Sequence, residues 1–405
     1  MHIGIDASRI AVTARTGTEH YTYELLAALA RHDRRTRYTL YCNQLPTALP
    51  PLGTNFTLRR IPFPRLWTHV RLSAELLRRA PDVLFIPAHV LPLGAPLRRT
   101  LRTVVTIHDL GYLHFPEAHT PAQRLYLRLS TLWSARAASH LIAISAATRD
   151  DLIRFARVRP AKITVVHHGL APRFRPVIDR SLIAAALARY GIGPQNEPQG
   201  GEPAPDQGPS ELPSGAAALP PYLLYVGTIQ PRKNLARLIE AFALMIGSDA
   251  GWQGIDHWRA SIQLVIAGKT GWRSAPIERR VAELGLAGRV QFVGYVADDD
   301  LPALLSGALA FVFPSLYEGF GMPVLEAMAC GTPVLTSTTS ALPEVAGAAA
   351  LLVDPMDSGA IAAGLIRLVS DAALRADLRA RGLAQAAQFT WDRCAEATLG
   401  VLRGR

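Results

Sequence analysis

Two glutamates, Glu318 and Glu326, stand with seven residues between them, among these Gly319-Phe320-Gly321-Met322-Pro323. A strand ending at Phe313 feeds this loop, and Pro323 suits the first turn of the helix that follows, where its missing N–H costs nothing. Glycines let the backbone come close to a ligand, and the free N–H groups of a helix start favour anions. A carboxylate beside a phosphate is out of place unless it accepts hydrogen bonds from hydroxyls, which sugars supply in quantity. Either glutamate alone reads as a helix-start or solvated helix residue; the Gly-x-Gly and Pro between them favour a ligand loop. Arg232 and Lys233 follow Gly227, Thr228 and Pro231, and Lys233 is one of three lysines in a chain whose 43 basic residues are otherwise arginine. Fixed cations at a strand end would suit an anionic ligand; the alternative is solvation of a helix start. His108-Asp109 ends a strand, where open α/β sheets bind their ligands. Gly17-Thr18 opens a helix as a phosphate or acceptor loop would, and a capped helix start accounts for it equally. His167 and His168, adjacent on a strand, face opposite ways and make no metal site. There is no divalent-metal carboxylate trio, Walker A loop or nucleophile elbow.

The elements that must hold these residues alternate strand and helix. Strand-like runs at Ile3–Asp6, Arg37–Cys42, Val83–Ile86, Thr103–Ile107, Leu141–Ile144 and Ile163–Val166 are interleaved with helical stretches, among them Glu19–Arg31, Pro121–Ala138 and Ala146–Ala156. In Glu19–Arg31 the apolar Tyr23, Leu26, Ala27 and Ala30 form one side. From Gly193 to Pro221 eight prolines and almost no large apolar residue predict a flexible linker or insertion. A second alternation then starts at Tyr222–Val226 and runs through Gln263–Ala267, Val290–Val293, Ala310–Phe313 and Pro333–Thr336 to a last helix at Trp391–Arg403. The expected architecture is α/β, two doubly wound Rossmann-like domains facing each other across a cleft. The domains expected are 1–192 and 222–388. Residues 389–405 form a C-terminal helix packing back toward the first.

Composition sets the surroundings. The 405 residues suffice for two cores. The apolar runs are too short to span a bilayer, and no signal-peptide pattern opens the sequence, so a cytoplasmic chain is expected. Cys42, Cys330 and Cys394 read as small buried hydrophobes. Residues 1–180 carry 26 Lys+Arg against 11 Asp+Glu, whereas the remainder is mildly acidic. A basic first half suits anionic lipid headgroups, a phosphate-bearing acceptor or nucleic acid, or simply reflects arginine stems solvating helices.

The long segment Pro314-Ser-Leu-Tyr-Glu-Gly-Phe-Gly-Met-Pro-Val-Leu-Glu-Ala-Met-Ala-Cys-Gly-Thr-Pro resembles the donor-site signature of the retaining glycosyltransferases of family 4, with the GT-B fold. Tyr225-Val-Gly-Thr-Ile-Gln-Pro-Arg-Lys-Asn-Leu, Leu264-Val-Ile-Ala-Gly, Val290-Gln-Phe-Val-Gly-Tyr-Val, Thr106-Ile-His-Asp-Leu, Ile144-Ser-Ala-Ala-Thr-Arg-Asp-Asp-Leu and Val165-Val-His-His-Gly are similar to other family segments, in the same order. The resemblance implies that Glu318 meets the donor sugar's hydroxyls, Glu326 the ribose, and the Gly319–Met322 backbone the sugar and diphosphate. Lys233 and Arg232 would hold the diphosphate; many members carry an arginine at the position of Thr228. His108, beside Asp109, would lie near the transferred sugar, and Gly227, Thr228 and Val296 would complete the donor site. Glu344 resembles a position near the nucleotide. The Gly17-Thr18 loop has one glycine where some members have two. Retention and metal independence with no cofactor follow from the same resemblance, which favours a mannosyl donor, GDP-mannose, with UDP-sugars close behind. The acceptor implied is a glycan or lipid-linked glycan of cell-surface polysaccharide synthesis, reached at the inner face of the membrane, with no nucleic-acid partner. A nucleotide-sugar isomerase of the same bilobed architecture and a non-catalytic membrane or nucleic-acid binder are the rivals.

Overall fold

A computed structural model describes residues 1–11, 17–46, 48–63, 66–116, 120–193, 220–249, 252, 255–269 and 275–404. Most of the stretch expected as a linker, 194–219, therefore lies outside the described residues.

The first seven strands are β1 (His2–Asp6), β2 (Arg37–Cys42), β3 (Phe56–Arg60), β4 (Val83–Ile86), β5 (Arg102–Ile107), β6 (His140–Ala143) and β7 (Ile163–Val165). They form one parallel sheet in the order β3-β2-β1-β4-β5-β6-β7. Parallel strands covered on both faces read as continuous apolar runs, and Val83–Ile86 is buried throughout. Val83 and Phe85 enter one core with Ile3, Leu25 and Leu402, whereas Leu84 and Ile86 enter another with Val105, Leu141 and Leu152.

The second sheet is β8 (Tyr222–Val226), β9 (Gln263–Ala267), β10 (Val290–Gly294), β11 (Ala310–Phe313), β12 (Val334–Ser337) and β13 (Leu351–Val353). It is parallel as well, in the order β10-β9-β8-β11-β12-β13. Chain order reverses at β1/β4 in the first sheet and at β8/β11 in the second. Doubly wound sheets bind ligands beyond the carboxyl ends of strands at such switch points.

The chain divides into one unit of Met1–Ala171, Tyr317–Gly321 and Ala387–Arg405, and a second of Pro172–Leu316 and Met322–Ala386. The first unit so divided ends at Ala171, where the sequence reading places its boundary at 192. The helix Arg180–Arg189 goes with the second unit because its Arg189 and Tyr190, just beyond it, bind Asp300 there. The loop Tyr317–Gly321, inside the expected 222–388 span, counts with the first unit. The helix Gly17–His32 is buried on more than the one side read from sequence: Tyr21, Leu25, Ala28 and Leu29 are covered as well. The reason is the helix Trp391–Arg403, whose Cys394, Ala395, Leu399 and Leu402 join the same core. Gly169 marks the tightest crossing there, since a Cβ on it would lie 2.2 Å from the Trp391 amide nitrogen. β3 and β13 are strands that the sequence reading passes over.

Candidate active site

In the second unit the site is built where β8 and β11 end, side by side. Gly268, after β9, has φ +150°, and a Cβ on it would sit 2.0 Å from the Gly227 carbonyl oxygen. That approach requires glycine. The chain then makes the short turn Pro231–Lys233, closed by Asn234 in the left-handed region at φ 62°. The buried Asn234 side chain donates to the Pro314 and Pro355 carbonyls at 3.0 and 2.6 Å. The Arg232 carbonyl accepts from Leu316 N–H at 2.8 Å and Ser315 Oγ at 3.1 Å, and Ser337 Oγ donates to the Ser315 carbonyl at 2.6 Å. The cation-bearing turn and the start of the glutamate loop are thus fastened by their own backbones. Satisfied buried polar groups of this kind rigidify a site.

Lys233 is 7% exposed, and its Nζ stands 4.7 Å from the centre of the Phe313 ring. The ring face favours the ammonium without neutralising it. Arg232 is half-buried beside it, and Thr228 is exposed. Met322 opens the helix Met322–Ala329, which carries Glu326 half-buried. Burial pushes the Glu326 carboxyl up to about 7; Arg173 opposes the rise, and Asp298, itself 3.1 Å from Arg173, adds to it. Val296 is buried, next to an Ala297 N–H that donates to Tyr190 Oη at 3.0 Å. Glu344 is half-buried in the short helix Leu342–Ala346.

In the first unit the loop Tyr317–Gly321 lies against the end of β5. A Cβ on Gly319 would stand 2.2 Å from the His108 carbonyl oxygen and 2.7 Å from Asp109 Cβ. The Gly319 carbonyl accepts from Ser145 Oγ at 2.7 Å. Tyr317 Oη donates to Asp151 at 2.8 Å and accepts from Leu110 N–H at 3.3 Å, while its ring stacks on His114 at 4.3 Å. Phe320 stacks on His168 at 5.0 Å. These contacts bring Glu318, buried, onto the backbone stretch that carries His108 and Asp109.

The chemistry of His108 is defined by its partners. Its Nε2 lies 2.7 Å from the Pro87 carbonyl, an acceptor only, so Nε2 carries the hydrogen and Nδ1 the lone pair. Burial, reinforced by neighbouring His89, lowers its pKa to about 4. His108 is therefore a neutral imidazole near pH 7, an acceptor for a hydroxyl and not a cation for phosphate. Asp109 Oδ1 accepts from Gly111 N–H at 3.0 Å, which fixes the turn after the strand. Gly17 and Thr18 open the first helix, and the Thr18 carbonyl accepts from Thr22 Oγ1 at 2.9 Å. Their link to His108 runs through Tyr21 one turn on, whose ring meets the imidazole edge-on at 4.8 Å.

Sequence reasoning missed Tyr21, Ser145, Tyr317 and Arg173. Ser145 could have been found as the N-cap of Ala146–Ala156; Arg173 carries no local signal. Among the described residues no group of three or more His, Cys, Asp or Glu is placed to hold a metal ion.

Two parallel, doubly wound sheets with glycine-lined strand ends and fixed cations at a switch point define a GT-B glycosyltransferase. The family described as Glycosyl transferases group 1 matches residues 213–385, and Glycosyltransferase Family 4 matches 15–174. The chain is 31% identical over 336 residues to an O-antigen chain mannosyltransferase B of Escherichia coli, covering 83% of this chain and 78% of that one. It is 36% identical over 306 residues to a serotype-specific mannosyltransferase of Escherichia coli, covering 74% of this chain but 33% of that longer protein. The fold matches the sucrose-phosphate synthase of Thermosynechococcus elongatus with TM-score 0.70 at 23% identity, over 100% of this chain and 98% of that one. The protein belongs to glycosyltransferase family 4.

Proposed function

We propose that the chain transfers mannose from GDP-mannose, with retention and without a metal, to a hydroxyl of a glycan or lipid-linked glycan in cell-surface polysaccharide synthesis. The observation that carries the donor half of this reading is the Arg232–Lys233 turn, fastened at the β8/β11 switch point to the loop that leads into Glu318 and Glu326. Lys233 and Arg232 take the charge that develops on the departing diphosphate, the role a metal would otherwise fill. The N–H groups opening Met322–Ala329 face the same anion. Glu326 accepts hydrogen bonds from the ribose, and Glu318 and the lone pair of His108 from sugar hydroxyls. The anomeric bond to diphosphate breaks, the acceptor oxygen bonds to the same face, and its proton passes to the leaving phosphate. The mannosyl choice is supported by the names of the two Escherichia coli relatives.

The test is sugar transfer from GDP-mannose, GDP-fucose, UDP-glucose and UDP-galactose to a mannose-terminated acceptor, in EDTA, with the product's anomeric configuration read by NMR. Transfer from GDP-mannose with an α-linked product is expected. Transfer from UDP-sugars alone would remove the mannosyl assignment, and conversion of donor without acceptor would favour the isomerase.

Glu326 yields a pH prediction. Its carboxyl titrates at about 7 in the folded chain, above the ordinary 4.5, and Arg173, Asp298 and Cys330 are the groups coupled to it. If the ionised form accepts the ribose hydroxyls, GDP affinity rises between about pH 6 and pH 8 and levels above. Glu326→Gln is expected to bind weakly and flatly across that range, measured by calorimetry. The folded state holds the proton more tightly than the unfolded chain, so the same group weakens the fold as pH climbs from about 4.5 to 7, by on the order of 3 kcal/mol.

A further inference from the structure

Residues 172–177, at the start of the second unit, run beside the helix Met322–Ala329 that carries Glu326. The Val177 N–H donates to Ser306 Oγ at 2.9 Å, and Ser306 Oγ donates to the Cys330 carbonyl at 3.3 Å. The Arg175 backbone is hydrogen-bonded to the Cys330 side chain. Cys330 lies one turn past Glu326, whose carbonyl accepts from the Cys330 N–H at 3.1 Å. Two residues of extended chain span about 6.6 Å and one helical turn about 5.4 Å. A chain that meets Cys330 at Arg175 is therefore level with Glu326 at Arg173, and Arg173 is a cation that acts on that carboxyl.

The Arg173 guanidinium is held from another side by Asp298, at 3.1 Å, and stands 5.0 Å from the centre of the buried Phe174 ring. Asp298 Oδ1 also accepts from Tyr295 Oη at 3.3 Å. The loop bearing Asp298 is fixed in turn by the chain that follows Arg173. Tyr190 Oη accepts from the Ala297 N–H at 3.0 Å and donates to Asp300 at 2.8 Å. Of the elements packed against Met322–Ala329, β11, β12 and the helix Leu301–Gly307 carry no charge. The helix Leu342–Ala346 contributes Glu344, and Ala372–Ala386 brings Arg379 against Gly331, past the helix end. The Cys330 thiol, pushed up to about 12 by burial and by Glu326, is neutral.

We propose that Arg173 is a positioning residue of the donor site: shared between Asp298 and Glu326, its guanidinium holds the Glu326 carboxyl in the ionised form that accepts ribose hydroxyls. The proposal rests on the ribose role given to Glu326 above. A buried carboxyl with no countercharge keeps its proton near neutral pH and loses acceptor capacity. Arg173 supplies that countercharge from the edge of the site, and Asp298 competes for it. Removing Arg173 therefore disfavours the ionised form, and removing Asp298 favours it. The Arg173 side chain is 37% exposed, so it acts through a well-screened medium and its effect is moderate.

The test is calorimetric titration of the full chain with GDP-mannose between about pH 6 and pH 8.5. The diphosphate of this probe is esterified at both ends and takes up no proton in that range. In wild type the affinity is expected to rise with a midpoint at about 7. Arg173→Gln should move the midpoint up by about half a pH unit and Arg173→Glu by about one unit. At neutral pH these shifts weaken binding about twofold and about fivefold, and the curves converge at the alkaline end. Asp298→Asn should move the midpoint down. Beside Glu326→Gln, Arg173→Gln should change nothing further at any pH. The bonds that fasten residues 172–177 to Ser306 and Cys330 start from the backbone, so unchanged thermal melts are expected. A uniform loss with a fixed midpoint would reduce Arg173 to a structural tie, and a shift that persists beside Glu326→Gln would assign it to another group. Either result overturns the proposal. If wild type fails to bind GDP-mannose, the donor reading falls. Carbon-13 NMR titration of the Glu326 carboxyl, recognised by its loss in Glu326→Gln, then decides the role of Arg173. A midpoint that rises in Arg173→Gln supports it, and one that stays in place overturns it.

Discussion

Lys233→Ala is expected to lower kcat by two to three orders of magnitude while leaving the fold near wild-type stability. Lys233 is an almost fully buried ammonium over an aromatic face, on a turn whose backbone is held by Asn234, Ser315 and Leu316. None of those bonds uses its side chain, so truncation removes the charge and leaves the turn. A preorganised group that stabilises charge developing on the leaving group costs about 10²–10³ in kcat when it is removed. The effect belongs in kcat more than in KM, because the diphosphate gains charge as the anomeric bond breaks. Lys233→Arg should recover part of the loss, since guanidinium keeps the charge but fits a site shaped for a compact ammonium poorly. Steady-state kinetics of the three forms, with melting curves, check this. A Lys233→Ala enzyme within tenfold of wild type would take the leaving-group role away from this residue.

Gly319→Ala tests the loop of the first unit that carries Glu318, and its expected effect is comparable. The added methyl would stand 2.2 Å from the His108 carbonyl oxygen and 2.7 Å from Asp109 Cβ. The first neighbour is backbone, so the loop has to move, and Gly319 then loses its bond from Ser145. Glu318 moves with it. Displacement of a positioning group by about 1 Å costs on the order of 10² in rate. GDP affinity should change little, because Lys233 and Glu326 lie outside the altered loop. A kcat loss of about a hundredfold or more with a near-normal GDP dissociation constant is the expected pattern. Wild-type kcat in Gly319→Ala would mean that the close approach to His108 plays no part in transfer.

These two residues also show how much the sequence disclosed. Lys233 was legible: a rare lysine, after Gly227 and Pro231, at a strand end. The two sheets were legible from alternation of apolar runs and helical stretches, because strands covered on both faces leave an unbroken apolar signature, as in Val83–Ile86. β3 was not, since its Phe-Thr-Leu-Arg-Arg pattern is half-exposed at a sheet edge. The helix Arg180–Arg189 could not be assigned to its unit from sequence, because what binds it, Asp300, lies 111 positions from Arg189. The neutral state of His108 was equally hidden: it depends on burial, on His89 and on the Pro87 carbonyl, none of which is a local signal.

The central claim is a nucleotide-sugar site that works through Lys233, Arg232 and Glu326 without a metal. Calorimetric titration of the purified chain with GDP, UDP and ADP, in EDTA and beside Glu326→Ala, tests it most directly. Binding of GDP in preference to the others, unchanged by EDTA and lost in the variant, is the predicted result. Absence of binding by any of the three at millimolar concentration, or binding that EDTA abolishes, would contradict it.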